Sequence, residues 1–126
     1  MNVVDSSCWL EYISDSVIGS EVAPIIADTE HLIVPTIVLY EVFKVLSMME
    51  GSGYANGFIR GMVSAEVVPL DVPLSISAAD ISLQYQLSMA DSIIYATVLK
   101  YDAVLWTADK DFDGLPNVQY FDKTQQ

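Results

Sequence analysis

Short runs rich in β-formers alternate along this chain with longer segments of helical period, and that order constrains it to a parallel sheet covered by helices. Met1–Val4 reads as the first strand, followed by a helix from about Ser7 to Ser14, with Asp5 or Ser6 as its cap, and another from about Ser20 to Asp28. His31–Val34 reads as strand two, ended by Pro35. Thr36 then caps a long helix whose apolar stripe runs through Val38, Leu39, Val42, Val45, Leu46 and Met49, with Glu41 on its flank. A weaker helix over 53–64, a strand over 67–70 and a helix over 74–86 follow. The segment Leu87–Leu99 is the next helix, Ala103–Thr107 strand four, and Val118–Phe121 the last strand.

The helix over Leu87–Leu99 is apolar nearly all round, so it belongs inside the protein. At 3.6 residues per turn Leu87, Ile94, Tyr95 and Val98 share a face with Asp91, which turns a carboxylate toward core residues. A lone buried charge is costly, and buried carboxylates are protonated, paired with a cation or bound to metal. Five Lys and Arg against seventeen acids leave few cations for pairing within the chain. A metal ion, a partner's arginine or a protonated acid are the remaining ways to accommodate Asp91.

Three more acids stand at the ends of apolar stretches: Asp5 after strand one, Glu41 near the start of the long helix, and Asp109 after strand four. Sites in open α/β sheets form beyond the carboxyl ends of strands, where strand order reverses. If strands one and four are neighbours, Asp5 and Asp109 converge, and Glu41 and Asp91 can reach the same crevice. Four carboxylates there make an oxygen-rich site suited to Mg²⁺ or Mn²⁺. Each acid also has a plainer reading: Asp5 as a helix cap, Glu41 as a solvated flank residue, Asp109 as a turn former, Asp91 as the cap of a helix starting at Ser92. Asp111 and Asp113 crowd the fourth position, so either can share or replace the role of Asp109.

Other chemistries fit less well. Asp109-x-Asp111-x-Asp113-Gly114 resembles the first half of a calcium loop, but Tyr120 stands where a bidentate Glu is needed and Pro116 interrupts it. There is no Gly-rich phosphate loop, and the single histidine, His31, argues against a hydrolase triad. A receiver-like phosphoacceptor domain has Asp71 and Lys110 as tempting counterparts but lacks an acid pair near strand one. Cys8, the only cysteine, lies beside Trp9 and reads as core. Gly53, Gly57 and Gly61 make a smooth stripe, expected to pack tightly on another helix, or else to form a subunit interface.

The length of 126 residues suits one domain over 1–126, and 52% apolar residues suffice for a continuous core. The longest apolar run is too short to span a membrane and the N-terminus lacks signal-peptide features, so a cytoplasmic protein is expected. A net charge of −12 disfavours nonspecific binding to bare nucleic acid or anionic lipid. It is compatible with a nuclease that meets phosphate through divalent ions, and it favours a basic protein partner.

Four blocks of the sequence, taken together, resemble a family. Val4-Asp5-Ser6-Ser7-Cys8-Trp9, Pro35-Thr36-Ile37-Val38-Leu39-Tyr40-Glu41, Ala90-Asp91-Ser92-Ile93-Ile94-Tyr95-Ala96-Thr97 and Leu105-Trp106-Thr107-Ala108-Asp109-Lys110-Asp111-Phe112 are similar, in order and spacing, to those of PIN-domain nucleases, above all the VapC-type toxins of toxin–antitoxin pairs. The resemblance implies a three-layer α/β/α sandwich with a central parallel sheet and a Mg²⁺- or Mn²⁺-dependent endoribonuclease. It implies Asp5, Glu41, Asp91 and Asp109 as catalytic and metal-binding acids, with Ser7 and Thr107 as supporting hydroxyls. It further implies a homodimer silenced by an antitoxin whose basic segment enters the acidic site. Substrate RNA would meet few cations: Lys44, Arg60, Lys100, Lys110 and Lys123. The competing expectation is a catalytically silent acidic domain that binds a basic protein.

Overall fold

The computed structural model describes residues 1–125. Five strands, β1 (Asn2–Val4), β2 (Leu32–Pro35), β3 (Glu66–Val68), β4 (Val104–Thr107) and β5 (Val118–Tyr120), form one all-parallel sheet in the order β3-β2-β1-β4-β5. Six helices flank it: α1 (Ser6–Ile13), α2 (Val17–Ala27), α3 (Thr36–Glu50), α4 (Ser52–Met62), α5 (Val72–Tyr85) and α6 (Met89–Lys100). This is the α/β architecture with a central parallel sheet that the sequence predicts. The order also rules out the receiver domain, whose doubly wound sheet runs 2-1-3-4-5.

Parallel strands need cover on both faces, and the central ones have it. All four residues of β2 are buried, as are Val3 and Val4 of β1, with Val3 in register with Ile33 on one side and Leu105 on the other. Helix α6 is buried continuously from Ser92 to Val98, as its apolar circumference requires. Its polar groups are satisfied locally: Thr97 Oγ1 donates to the Ile93 carbonyl at 2.9 Å and the Tyr95 hydroxyl to the Pro116 carbonyl at 2.8 Å. Cys8 is fully buried, in the core as expected, and burial pushes its thiol up to about 12.

Caps explain most of the boundary shifts. Ser16 Oγ accepts from the Gly19 amide at 3.0 Å, which starts α2 at Val17, three residues earlier than the apolar pattern suggests. Asp71 Oδ1 accepts from the Leu74 amide at 2.9 Å and so starts α5 at Val72; Asp71 is a helix cap and no phosphoacceptor. Pro35 is not the residue after β2 but its last, opposite Val68, and it holds the N-cap position of α3 that Thr36 was expected to fill. β3 ends at Val68, short of Leu70. His31 is not on a strand: it closes a 3₁₀ turn (Thr29–His31), exposed, with Nδ1 3.0 Å from Asp28.

The glycines divide into two kinds. A Cβ at Gly53, Gly57 or Gly61 would meet nothing within 4 Å, so the tight helix contact expected of that stripe is not made within the described residues. The buried positions of α4 are instead Ala55 and Met62. Gly19 is the close approach: a Cβ there would collide with the Glu11 carbonyl where α2 packs on α1. No helix is long and apolar enough to cross a membrane. Urea unfolding should separate the two kinds: Gly57→Ala stabilises by about 1 kcal/mol through helix propensity, whereas Gly19→Ala destabilises by about 2 kcal/mol or more through overpacking.

Candidate functional site

Strand order reverses between β1 and β4, so the crevice at their carboxyl ends is where this topology carries a site. Asp5 immediately follows β1, and Asp109 lies just past the end of β4 at Thr107. Glu41 comes from the second turn of α3 and Asp91 from the first turn of α6, where the helix dipole favours a negative charge.

Asp5 is the most deeply buried of these acids, 2% exposed. It occupies the N-cap position of α1 but makes no capping bond with its side chain. Its Oδ2 instead accepts from Ser7 Oγ at 2.7 Å and from Thr107 Oγ1 at 2.9 Å. Both hydroxyls accept in turn from the backbone of the loop after β4: Ser7 Oγ from the Ala108 amide at 3.0 Å, Thr107 Oγ1 from the Asp109 amide at 2.9 Å. A hydroxyl has one proton to give. Both protons go to Asp5, so the 3.4 Å approach of Ser7 to Thr107 is a contact between two committed donors. Oδ1 is left without a side-chain partner.

The other acids are positioned by equally local means. Ser6 Oγ donates to Glu41 Oε1 at 3.1 Å, linking α1 to α3, so Glu41 is a half-buried cross-helix partner and no solvated flank residue. Ser88 caps α6, with its Oγ accepting from the Asp91 amide, so Asp91 sits inside the helix and does not cap it. Asp109 Oδ1 accepts from the Asp111 amide at 3.0 Å and caps a 3₁₀ turn (Lys110–Phe112) that the fully buried Phe112 anchors. Tyr120, the twelfth position of the would-be calcium loop, lies in β5.

The structure brings oxygens of Asp91, Asp109 and Asp111 within 4.8 Å of one another. Asp5 and Glu41 stand outside that trio, yet close enough for the charges to be felt. Burial pushes the Asp91 carboxyl up to about 7, helped by Asp109 and then Asp5. Burial likewise raises Glu41, against the Ser6 hydrogen bond and with Asp5 and Asp109 adding to the rise. Asp5 is raised by burial, while the Ser7 and Thr107 hydroxyls act the other way. Among the described residues the only ion pair is His31 with Asp28, so no cation of the chain neutralises the cluster. Hard oxygen donors, several carboxylates and no internal counter-charge fit a divalent ion such as Mg²⁺ or Mn²⁺.

One feature escapes a reading of the sequence. The Ser6–Glu41 bond has no local signature, because the two residues meet only through helix packing. Asp111, expected to share or replace the role of Asp109, lies together with Asp109 and Asp91 in the trio, as the Asp-x-Asp spacing in a turn suggests. Asp113, the third acid of that run, is exposed at the end of the turn and is not in the trio.

A switch-point cluster of acids on a 3-2-1-4-5 parallel sheet defines a class as well as a site. The sequence model of the PIN domain family matches residues 3–118, and the chain belongs to that family. No curated protein matches it by sequence. Solved structures do match in fold: a toxin–antitoxin complex from Klebsiella pneumoniae, 18% identical, aligns over 94% of this chain and 96% of that one with a TM-score of 0.80. VapC20 of Mycobacterium tuberculosis, described as a Sarcin-Ricin loop cleaving toxin, is 19% identical over 94% of this chain and 99% of its own, with a TM-score of 0.72. VapBC2 from Rickettsia felis, bound to a DNA fragment from its promoter, gives 14% identity, 96% and 98% coverage, and a TM-score of 0.74.

Because folding raises these carboxyl pKa values, the folded chain binds more protons than the unfolded one from about pH 4 to about pH 7. Stability in EDTA should therefore be greatest at the acid end of that window and fall as pH rises through it. Thermal unfolding at pH 5 and pH 8 checks the sign, and Asp91→Asn should shrink the difference by raising the midpoint at pH 8 by a few degrees.

Proposed function

We propose that this chain is a metal-dependent endoribonuclease and the toxin of a toxin–antitoxin pair. The observation that carries the reading is the convergence of acids without any internal cation at the switch point of a PIN fold. Relatives in fold point the same way, one a toxin that cleaves the Sarcin-Ricin loop and another part of a toxin–antitoxin complex.

In this reading Asp91 and Asp109 hold a Mg²⁺ or Mn²⁺ ion, with Asp111 as a third ligand and Asp5 reaching the same ion or a second one. Such an ion supplies Lewis acidity toward water and phosphate oxygens. The chain's own contribution is placement and proton handling. Ser7 and Thr107 fix Asp5 in one orientation and keep it an acceptor. Glu41, tethered by Ser6 and raised above the ordinary carboxylate range, is suited to take a proton from the water that attacks phosphorus in line. Lys110, carried on the same turn as Asp109 and Asp111, is the nearest cation in sequence to the site and is exposed for phosphate contact.

The same acids suit a basic antitoxin segment, and a net charge of −12 supports such a partner over an acidic one. For the homodimer, α5 offers Val72, Ile76 and Leu83, apolar and more than half exposed. A cytoplasmic location is the setting in which RNA and antitoxin are both met. A purely protein-binding acidic domain would use the carboxylates without needing a divalent ion, and metal dependence separates the two readings.

The test is cleavage of a mixed RNA pool with Mg²⁺ or Mn²⁺, against EDTA. Wild type should cleave only with metal, and Asp5→Ala and Asp91→Asn should each remove cleavage while leaving the circular dichroism spectrum unchanged. Thr107→Val, which takes one hydroxyl from Asp5, should lower the rate about 10- to 100-fold. Full activity in Asp91→Asn would discard the assignment.

A further inference from the structure

A cleft of about 400 Å³ opens directly beside the acidic crevice, between α1 and α3, and shares Ser7 with it. Ser7 holds Asp5 with its hydroxyl and lines the cleft as well. From Ser7 the cleft follows α1 to Ser14, two helical turns or roughly 10 Å. Its floor is apolar, with Leu46 buried below, and its polar side chains are Glu11 on α1, Glu50 at the end of α3, Lys123 from the segment after β5, and the hydroxyls of Ser7 and Ser14, whose protons are committed to Asp5 and to the Glu11 carbonyl. Tyr54, at the start of α4 and 52% exposed, supplies an aromatic wall. Neither glutamate is in an ion pair among the described residues, nor is Lys123, although the chain has only five Lys and Arg.

An apolar slot with an aromatic wall, acceptor-only carboxylates and one ammonium is the donor and acceptor complement of a nucleobase. Proteins that read single-stranded RNA stack unpaired bases on aromatic rings and bond their Watson–Crick edges. The choice of base follows from proton inventory. A carboxylate can only accept. Guanine offers two adjacent donors on one edge, N1–H and the N2 amino group, which match the two oxygens of a single carboxylate. Adenine and cytosine each set an acceptor nitrogen beside their amino group, and uracil flanks its one N–H with two carbonyls, so each turns a lone pair toward the carboxylate. Guanine also carries O6 and N7 acceptors for an ammonium.

We propose that this cleft receives an unstacked guanine next to the scissile phosphate, held against Tyr54, with Glu11 or Glu50 reading its Watson–Crick edge and Lys123 its acceptors. The inference rests on the ribonuclease reading above and gives that activity a sequence preference. It also answers how a chain so poor in cations grips RNA: much of the hold is on a base, where the phosphate charge does not enter.

The first experiment needs no catalysis. In EDTA, ¹⁵N-labelled protein is titrated with guanosine, adenosine, cytidine and uridine, which carry no phosphate. Guanosine should shift the amides of Glu11, Ser14, Glu50 and Tyr54 at concentrations about tenfold or more below the other three; Tyr54→Ala should abolish the shifts and Tyr54→Phe retain them. The second is sequencing of cleavage ends from a random RNA pool, where guanine should be enriched beside the cut in wild type and Tyr54→Phe, and the enrichment lost in Tyr54→Ala. Equal or absent shifts with all four nucleosides, with cleavage ends free of guanine preference, would overturn the base pocket and leave the ribonuclease standing. Guanosine binding without cleavage of any RNA would do the reverse. Shifts from an arginine-rich peptide and from no nucleoside would assign the cleft to a protein partner and overturn the proposal.

Discussion

The acceptance of two hydroxyl protons by one oxygen of Asp5 is the interaction on which the site is built. It joins the junction of β1 and α1 to the end of β4 and the loop after it, about a hundred residues away in sequence. The bond also fixes the backbone, since the amides of Ala108 and Asp109 donate to the same two hydroxyls. Asp109 is thus set by the group it repels. Both hydroxyls are fully committed, each donating to Asp5 and accepting from the backbone, and polar groups satisfied in this way rigidify a buried site.

The acid cluster beside that network carries like-charge repulsion, which burial strengthens. Asp91, Asp109 and Asp111 crowd together, Asp5 and Glu41 lie within electrostatic reach, and no ion pair among the described residues answers them. A cluster of this kind is preorganised for a cation because the protein has already borne the like-charge repulsion. The rest of the molecule is arranged to tolerate it: α6 is buried along seven successive residues, which fixes Asp91 to a rigid element, and Phe112 fastens the turn that presents Asp109 and Asp111.

Much of this was legible in the residues. Alternating strands and helices foretold the parallel sheet, the all-round apolar helix foretold the burial of α6, and acids at the ends of elements foretold where Asp5, Glu41, Asp91 and Asp109 would stand. What the residues did not reveal depends on contacts across the fold. Helix starts at Val17 and Val72 were missed because a single capping bond outweighs an apolar pattern that begins later. His31 seemed part of a strand from its apolar neighbours, but its ring turns outward to Asp28. The Ser6–Glu41 bond emerges only once α3 is in position. The glycine stripe of α4 misled in the other direction: spacing suggested a partner, and the described chain supplies none.

Those same glycines leave α4 weak in intrinsic helix propensity. Each glycine in a helix interior costs about 1 kcal/mol relative to alanine, and here no close packing compensates for the missing side chains. Helix α4 is held by packing: it lies against α3, buries Ala55 and Met62, and sets Phe58 edge-on to Trp9 of α1. It is therefore expected to exchange faster than the central strands in native-state hydrogen exchange. Tyr54 rides on its first turn, so one wall of the cleft stands on a helix that depends on its neighbours to stay folded.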